Sequence, residues 1–300
     1  GLAKMGHAFG DYAHLHPNDH VNRSQSTNDV YPTAIRLAVL AKCVDLAAEQ
    51  RRLRDAFALK AREFGHVMKV GRTQLQDAVP ITLGSEFASF ATTVNEDIDR
   101  LDQLSRLLME INLGGTAVGT GINSPDRYAA AAAANLAQVS GYPLISATDL
   151  IEASSDLGAF VTFSGVLKRI AVKLSKICND LRLLSSGPRA GIGEIILPPV
   201  QAGSSIMPGK INPVIPEVVN QVAYQVVGND MTVTMASEAG QLQLNAMEPV
   251  IIFKVLESMR MLTRAMMVLT DRCVIGIRAD EARCAQLLDG SLVFATALAP

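Results

Sequence analysis

Apolar residues recur at intervals of three and four along most of the chain, which is the spacing of amphipathic α-helices. From Thr33 to about Glu63 this pattern predicts one helix, about 46 Å long at the usual rise per residue. It also predicts four further long helices and two short ones, at residues 82–112, 149–185, 216–238, 244–271, 126–140 and 281–289. No stretch alternates as a strand does, and no segment repeats. The pattern therefore predicts an all-α fold, a long up-down bundle with five long helices.

Segments rich in glycine and proline separate the predicted helices. Residues 65–80, 113–125 and 187–213 are expected to be loops. Within the second of them, Gly114–Gly121 resembles a phosphate loop. No strand precedes it and it lacks the Walker lysine, so we expect a structural or substrate-shaping turn. The chain starts at Gly1 and stops with its pattern unfinished, and we expect it to be the middle of a longer chain.

The composition narrows the classes of function. The 27 lysines and arginines nearly balance the 29 aspartates and glutamates, whereas nucleic-acid binding needs concentrated positive charge. Hydrophobic residues make up 49% of the 300 residues and charged residues only 19%, an apolar excess that must be buried somewhere. The longest uncharged run, residues 128–148, contains polar residues and Pro143 and is not a membrane span. We therefore expect burial between subunits of an oligomer, with neither nucleic acid nor a membrane as partner.

The cysteines and histidines predict neither disulfide bonds nor a metal site. The four cysteines form no CxxC pair and predict reduced thiols in a cytoplasmic protein. Four of the five histidines lie in the first twenty residues, where they could suggest metal binding. Pro17 and the turn-forming Asn18-Asp19 break the helical register that would align them, so we expect no metal site.

Three polar motifs interrupt the apolar pattern and are candidates for binding an anionic substrate. Ser24–Asp29 and Gly71–Asp77 each precede a predicted helix, whose free N–H groups attract anions. Capping turns have the same composition, so the residues alone leave both interpretations open. The third motif, Gly203–Pro213, holds two serines, a lysine and an asparagine between glycines and prolines. Apolar residues flank Lys210, which favours a buried anionic partner over a solvated charge.

These motifs resemble those of the aspartase/fumarase superfamily, in order and spacing, over essentially the whole chain. They read HPNDHVNRSQSTNDVYPT, GRTQLQDAVP, INLGGTAVGTGIN and GSSIMPGKINP. Within the superfamily the chain is most similar to the ammonia-lyases that act on aspartate. Gln74 stands where fumarases carry histidine, and residues 238–249, EAGQLQLNAMEP, follow the ammonia-lyase pattern.

The resemblance implies a homotetramer whose core holds twenty helices, five from each chain, with each active site built from loops of three subunits. It implies that residues 1–32 end an N-terminal domain and carry the first active-site loop. Residues 33–275 would form the central helical domain and 276–300 the start of a C-terminal domain.

The implied reaction is the reversible anti elimination of ammonia from L-aspartate to give fumarate, through an aci-carboxylate intermediate. By resemblance, Ser204 is the general base, and Glu217 orients Gln74 from behind the site. The substrate-binding residues implied are Ser26, Thr27 and Ser205 at the C4 carboxylate, Thr73, Lys210 and Asn212 at the C1 carboxylate, and Asn28 and Gln74 at the ammonium group. No cofactor is implied, and activation by Mg²⁺ away from the catalytic site is left open.

Two alternatives remain open at this stage. A fumarate hydratase of the same superfamily is the nearer one, although Gln74 cannot act as a general acid as histidine can. The other is a non-catalytic helical scaffold or fragment. Retention of Ser204, Lys210, Asn212 and Asn28 together argues against the scaffold.

Overall fold

Seven α-helices dominate residues 1–203, 206–207 and 209–298, which are the residues that this computed structural model describes. The helices are α1 (Thr27–Glu63), α2 (Leu83–Ser105), α3 (Tyr128–Ser140), α4 (Gly158–Leu184), α5 (Val214–Glu238), α6 (Glu248–Arg272) and α7 (Glu281–Asp289). Five of those described exceed twenty residues, namely α1, α2, α4, α5 and α6. The predicted all-α class with five long helices is confirmed.

Local hydrogen bonds from short polar side chains move two helix starts from their predicted positions. The Asp149 Oδ1 atom accepts from the N–H groups of Ile151 and Glu152, and Asp156 Oδ2 accepts from Gly158 N–H. Such bonds favour turns over helix, so α4 begins at Gly158 rather than at 149. The buried amide of Asn245 similarly donates to backbone carbonyls at the end of α5, which delays α6 to Glu248.

A β-hairpin occupies the segment that was predicted to be a loop, so the expectation of no strands was wrong there. Strands β1 (Met68–Thr73) and β2 (Gln76–Thr82) pair antiparallel, with an irregularity between Gly71 and Arg72. A side chain at Gly71 would approach Val79 O to 2.7 Å, so the glycine reflects close packing of the two strands. The irregular register and the internal glycine and proline hide the two-residue alternation that would have indicated strands.

Two further pairs of very short strands complete the described sheets. Strands β3 (Glu110–Ile111) and β4 (Ile145–Ser146) pair parallel, and β5 (Ile195–Ile196) and β6 (Arg278–Ala279) pair antiparallel. Because β3 starts two residues after a short 3₁₀ turn at 106–108, α2 ends at Ser105 and not at the predicted 112.

The chain divides into two compact units, and several long helices contribute to both. The first unit comprises residues 1–41, 104–162 and 232–254, and the second comprises 42–103, 163–231 and the chain from 255 onward. In the second unit, Phe57, Phe64, Phe87 and Phe90 form a buried aromatic cluster with ring centroids 5.2–6.2 Å apart. The predicted domain limits at 32/33 and 275/276 stay a prediction.

The four cysteines are free, as predicted, and three of them are buried. Among the helices described, none combines the length and hydropathy needed to cross a membrane.

Candidate active site

The first polar motif forms the start of α1. The Ser26 hydroxyl accepts from Asn28 N–H at 3.2 Å, while the Asp29 carboxylate accepts from Ser26 N–H at 2.9 Å. This reciprocal pair is a capping arrangement, and it places the exposed Thr27 in the first turn. Capping and substrate binding are therefore compatible here, because the cap fixes the positions at which Ser26, Thr27 and Asn28 are presented.

Asp29 also holds the glycine-rich segment against this helix start. It is fully buried, and its Oδ2 atom accepts from Gly114 N–H at 3.0 Å and from Thr116 N–H at 2.9 Å. The Asn28 side chain donates to Ala117 O at 2.7 Å. The segment from Gly114 to Gly121 is thus a turn fastened to the first motif, in line with the expected structural or substrate-shaping role. Sequence reasoning gave Asp29 no role beyond capping, because its partners lie more than 80 positions away.

The second motif is the tip of the β1–β2 hairpin. Thr73 and Gln76 pair across a two-residue turn, Gln74-Leu75, in which φ is +52° and +63°. Both values lie in the left-handed region, where a side chain is strained and asparagine or glycine is usual. Thr73 and Gln74 are exposed at this tip. Strain retained at a solvent-facing tip is typical of residues that are held in position for function.

A buried network of charges holds the base of the hairpin. Glu194 is fully buried, with Oε1 at 2.8 Å from Arg72 Nη1 and Oε2 at 3.0 Å from Lys69 Nζ. Lys69, itself 2% exposed, also lies 3.0 Å from a carboxylate oxygen of Glu86. Because Arg72 directly precedes Thr73, this network fixes the strand from which the tip projects. Sequence reasoning missed Glu194, since it lies in the predicted loop 187–213 without a motif of its own.

The third motif borders a cavity of about 740 Å³ in the second unit. Lys210 and Asn212 line it, together with Arg182 from α4 and Glu217 from α5. A dicarboxylate would meet the two cationic side chains and the amides of Asn179 and Asn212 here, beside the carboxylates of Glu217 and Asp280. Lys210 is exposed within this chain, and its predicted buried anionic partner stays a prediction.

Arg182 is the cavity residue that sequence reasoning missed. Its guanidinium donates from Nη1 to Asn220 Oδ1 at 3.3 Å, and Nη2 lies 3.7 Å from Glu217 Oε1. These contacts hold the cation at the cavity wall. Glu217 therefore has a charge partner on α4, while its orienting role toward Gln74 stays a prediction.

The predicted site residues fall into three groups. Ser26, Thr27 and Asn28 belong to the first unit. Thr73, Gln74, Lys210, Asn212 and Glu217 belong to the second unit. Ser204 and Ser205 lie outside the described residues.

One further titratable group stands in the segment that distinguished the ammonia-lyase pattern. Glu248 begins α6 and is 6% exposed. Burial raises the pKa of its carboxyl to about 7, against the opposing effect of the positive charge on Arg36. Glu248 therefore changes charge near neutral pH, which the sequence alone did not indicate.

Comparison with known proteins supplies the family context for this geometry. A family model described as lyase matches residues 2–228. The chain is 63% identical over 300 residues to an aspartate ammonia-lyase of Pseudomonas canavaninivorans and 55% identical over 300 residues to that of Escherichia coli K12. Each match covers 100% of this chain, and the chain spans 63% of the length of these relatives.

Solved structures agree with the fold. The chain superposes on a structure described as fumarate lyase:delta crystallin from Brucella melitensis bound to cobalt with a TM-score of 0.95 at 62% identity, covering 99% of this chain and 65% of that one. A class II fumarase from Schistosoma mansoni gives a TM-score of 0.91 at 33% identity, covering 94% and 62% of the two chains. The fold that carries the hairpin, the glycine-rich turn and the cavity is therefore shared with these solved structures.

Proposed function

This chain belongs to the aspartase/fumarase superfamily of lyases, and on that premise we propose that the whole protein eliminates ammonia from L-aspartate to give fumarate. The observation that carries the proposal is its identity of 55–63%, along its entire length, with relatives named aspartate ammonia-lyase. The cavity with Lys210, Asn212 and Arg182 supports it, because these side chains suit a dicarboxylate.

The elimination breaks two bonds of aspartate. A base removes a proton from C3, and the electron pair left behind is held by the adjacent C4 carboxylate as an aci-carboxylate. The C2–N bond then breaks, and the ammonium group leaves as ammonia while the C2–C3 double bond forms. Preorganised donors around the C4 carboxylate lower this barrier, each typically contributing about 10²–10³ in rate. No step requires a cofactor, so we propose none.

Each predicted residue has a role in that sequence. Ser204 takes the C3 proton, and the charge of Lys210 with loop N–H groups stabilises its oxyanion. Ser26, Thr27 and Ser205 donate to the C4 carboxylate. Thr73, Lys210 and Asn212 bind the C1 carboxylate. Asn28 and Gln74 contact the ammonium group, which departs without the protonation that a hydroxide would need.

We also propose that the protein is a homotetramer in the cytoplasm. On α5, Tyr224, Val227, Met231 and Met235 recur at helical spacing and are 40–65% exposed. Such an apolar stripe is costly in water and is satisfied when a second copy packs against it. Burial in an oligomer would account for the apolar excess of the composition. The free thiols support a reducing compartment. Light scattering on the purified protein should give four chains per particle.

The decisive assay is ultraviolet detection of fumarate formed from L-aspartate by the whole protein that contains this chain. Ser204→Ala should abolish turnover while leaving the tetramer intact, and Lys210→Ala should raise the KM for aspartate. Ser89→Ala, at an exposed position of α2, is the matched control and should retain activity. If the protein hydrates fumarate in the absence of ammonia and forms no fumarate from aspartate, it is instead a fumarate hydratase.

A further inference from the structure

Three side chains near the start of the chain bring potential metal ligands together. Asp11 Oδ2 lies 3.6 Å from His7 Nδ1 and 3.2 Å from His14 Nδ1, and the three ligand atoms lie within 4.8 Å of one another. The two imidazole rings stack with centroids 3.7 Å apart and planes 23° from parallel, so one ring must rotate out of the stack for both Nδ1 lone pairs to meet at one ion. The side chains are between 30% and 49% exposed, so an ion could enter from solvent.

The backbone between these residues is folded so that they meet. Gly6 and Gly10 adopt positive φ values of 81° and 83°, which glycine tolerates without strain. His14 N–H donates to Asp11 O at 3.1 Å, and this turn sets His14 beside the Asp11 side chain. Pro17 breaks the helical register that would have aligned the histidines, and on that ground the sequence predicted no metal site. The cluster needs no such register, because its turns all precede Pro17.

The two separations from Asp11 are close to those between ligands of a tetrahedral ion. Zinc binds histidine nitrogen and carboxylate oxygen at about 2.0–2.2 Å, which places neighbouring ligand atoms about 3.3–3.5 Å apart. The observed 3.2 and 3.6 Å bracket that value. Two imidazoles with one carboxylate suit borderline divalent ions such as Zn²⁺, whereas Mg²⁺ prefers oxygen ligands alone.

We propose that His7, Asp11 and His14 form a binding site for a divalent transition-metal ion of the zinc class. The three side chains supply three ligands, and water completes the tetrahedron. One carboxylate and two neutral imidazoles leave a net charge of +1 with the ion, which the partial exposure of the site tolerates. The site goes beyond the proposed elimination and has no step in it.

The remaining histidines have other partners, which provides natural controls. His16 Nδ1 accepts from Asn18 N–H at 3.2 Å and from Asp19 N–H at 3.1 Å, while His20 Nδ1 accepts from His16 N–H at 2.8 Å. His66 pairs with a carboxylate on α7. Among the residues described, only the His7–Asp11–His14 cluster brings three such ligands together.

Titration of the whole protein with ZnCl₂ by calorimetry tests the proposal. The native protein should bind Zn²⁺, and His7→Ala/His14→Ala should bind one ion fewer per chain. His20→Ala and Cys43→Ser are matched controls for histidine and thiol binding, and both should keep the native stoichiometry. Asp11→Asn should weaken the binding at least about 10-fold, because it removes the only anionic ligand. MgCl₂ should reveal no difference between the native protein and the double variant.

A second measurement avoids any dependence on variant folding. In the native protein, Zn²⁺ should slow the modification of His7 and His14 by diethyl pyrocarbonate, as read by mass spectrometry, while His66 reacts at an unchanged rate. Equal zinc stoichiometry in the native and double-variant proteins would overturn the proposal. Equal modification rates of His7 and His14 with and without Zn²⁺ would do so as well.

Discussion

The buried charges at the base of the β1–β2 hairpin should contribute measurably to the stability of the protein. Glu194→Gln keeps the shape of the side chain and removes the negative charge that faces both Arg72 and Lys69. Lys69 would then depend on Glu86 alone at 3.0 Å, and Arg72 on Asp77 at 4.0 Å. We expect the hairpin base to loosen, because two cations in a largely water-free site lose their shared counter-charge.

The magnitude follows from the burial of the group. Removing one partner of a buried ion pair costs about 3–5 kcal/mol. The value here should lie near about 3 kcal/mol, because both cations keep a second carboxylate and the glutamine can still accept one hydrogen bond. At about 2.1 cal/mol/K of unfolding entropy per residue, such a loss lowers the melting temperature of a 300-residue chain by roughly 5 °C.

Thermal unfolding followed by circular dichroism measures this loss in the whole protein. Asp45→Asn is the matched control, because Asp45 is 58% exposed and pairs in the same unit with Lys42, which is 61% exposed. Breaking an exposed pair should cost no more than about 1 kcal/mol. The KM for aspartate should also rise in Glu194→Gln, since Thr73 follows Arg72 directly. Melting temperatures that fall equally in the two variants would refute the reasoning.

Three other expectations follow from single positions. Asp29→Asn should lower the unfolding free energy by about 2–3 kcal/mol, because a charged acceptor of three N–H groups becomes a neutral one. It should also speed amide hydrogen exchange at Gly114 and Thr116, and unchanged exchange rates there would contradict this prediction. Glu248 has its carboxyl pKa raised from 4.5 to about 7, so the folded state binds more protons than the unfolded state and stability should fall as pH rises from about 4.5 to 7. Melting curves of Glu248→Gln should lose that part of the pH dependence. Leu75→Gly should raise the unfolding free energy by roughly 0.5–1 kcal/mol by relieving a φ of +63°, as chemical denaturation would measure.

Much of the helical architecture could be predicted because it rests on local periodicity. The segment from Thr33 to Glu63 repeats its apolar residues so regularly that only the start of α1 was missed, where Ser26 and Asp29 cap the helix. Pairing in the hairpin was hidden by its irregular register and internal glycine and proline, whereas the position of Glu194 depends on contacts between residues more than 100 positions apart. Periodicity carries no information on such contacts, and propensity is overridden by them.

In the candidate site, too, some residues could be predicted from local sequence and others could not. Lys210 and Asn212 could be named from their motif, and the structure places both at one cavity. Arg182 could not be named, because an arginine within an amphipathic helix has the same local pattern whether it faces a cavity or solvent. The anionic partner of Lys210 stays a prediction, because the apolar residues that flank it carry no information on what binds at the loop.

The central claim is that the protein eliminates ammonia from aspartate by means of Ser204 and the cavity that Lys210 borders. The most direct measurement is the ultraviolet absorbance of fumarate during incubation of the whole protein with L-aspartate, with Ser204→Ala and Ser89→Ala in parallel. We expect steady fumarate formation by the native protein and by Ser89→Ala, and none by Ser204→Ala. Fumarate formation by Ser204→Ala at the native rate, or none by the native protein, would contradict this claim.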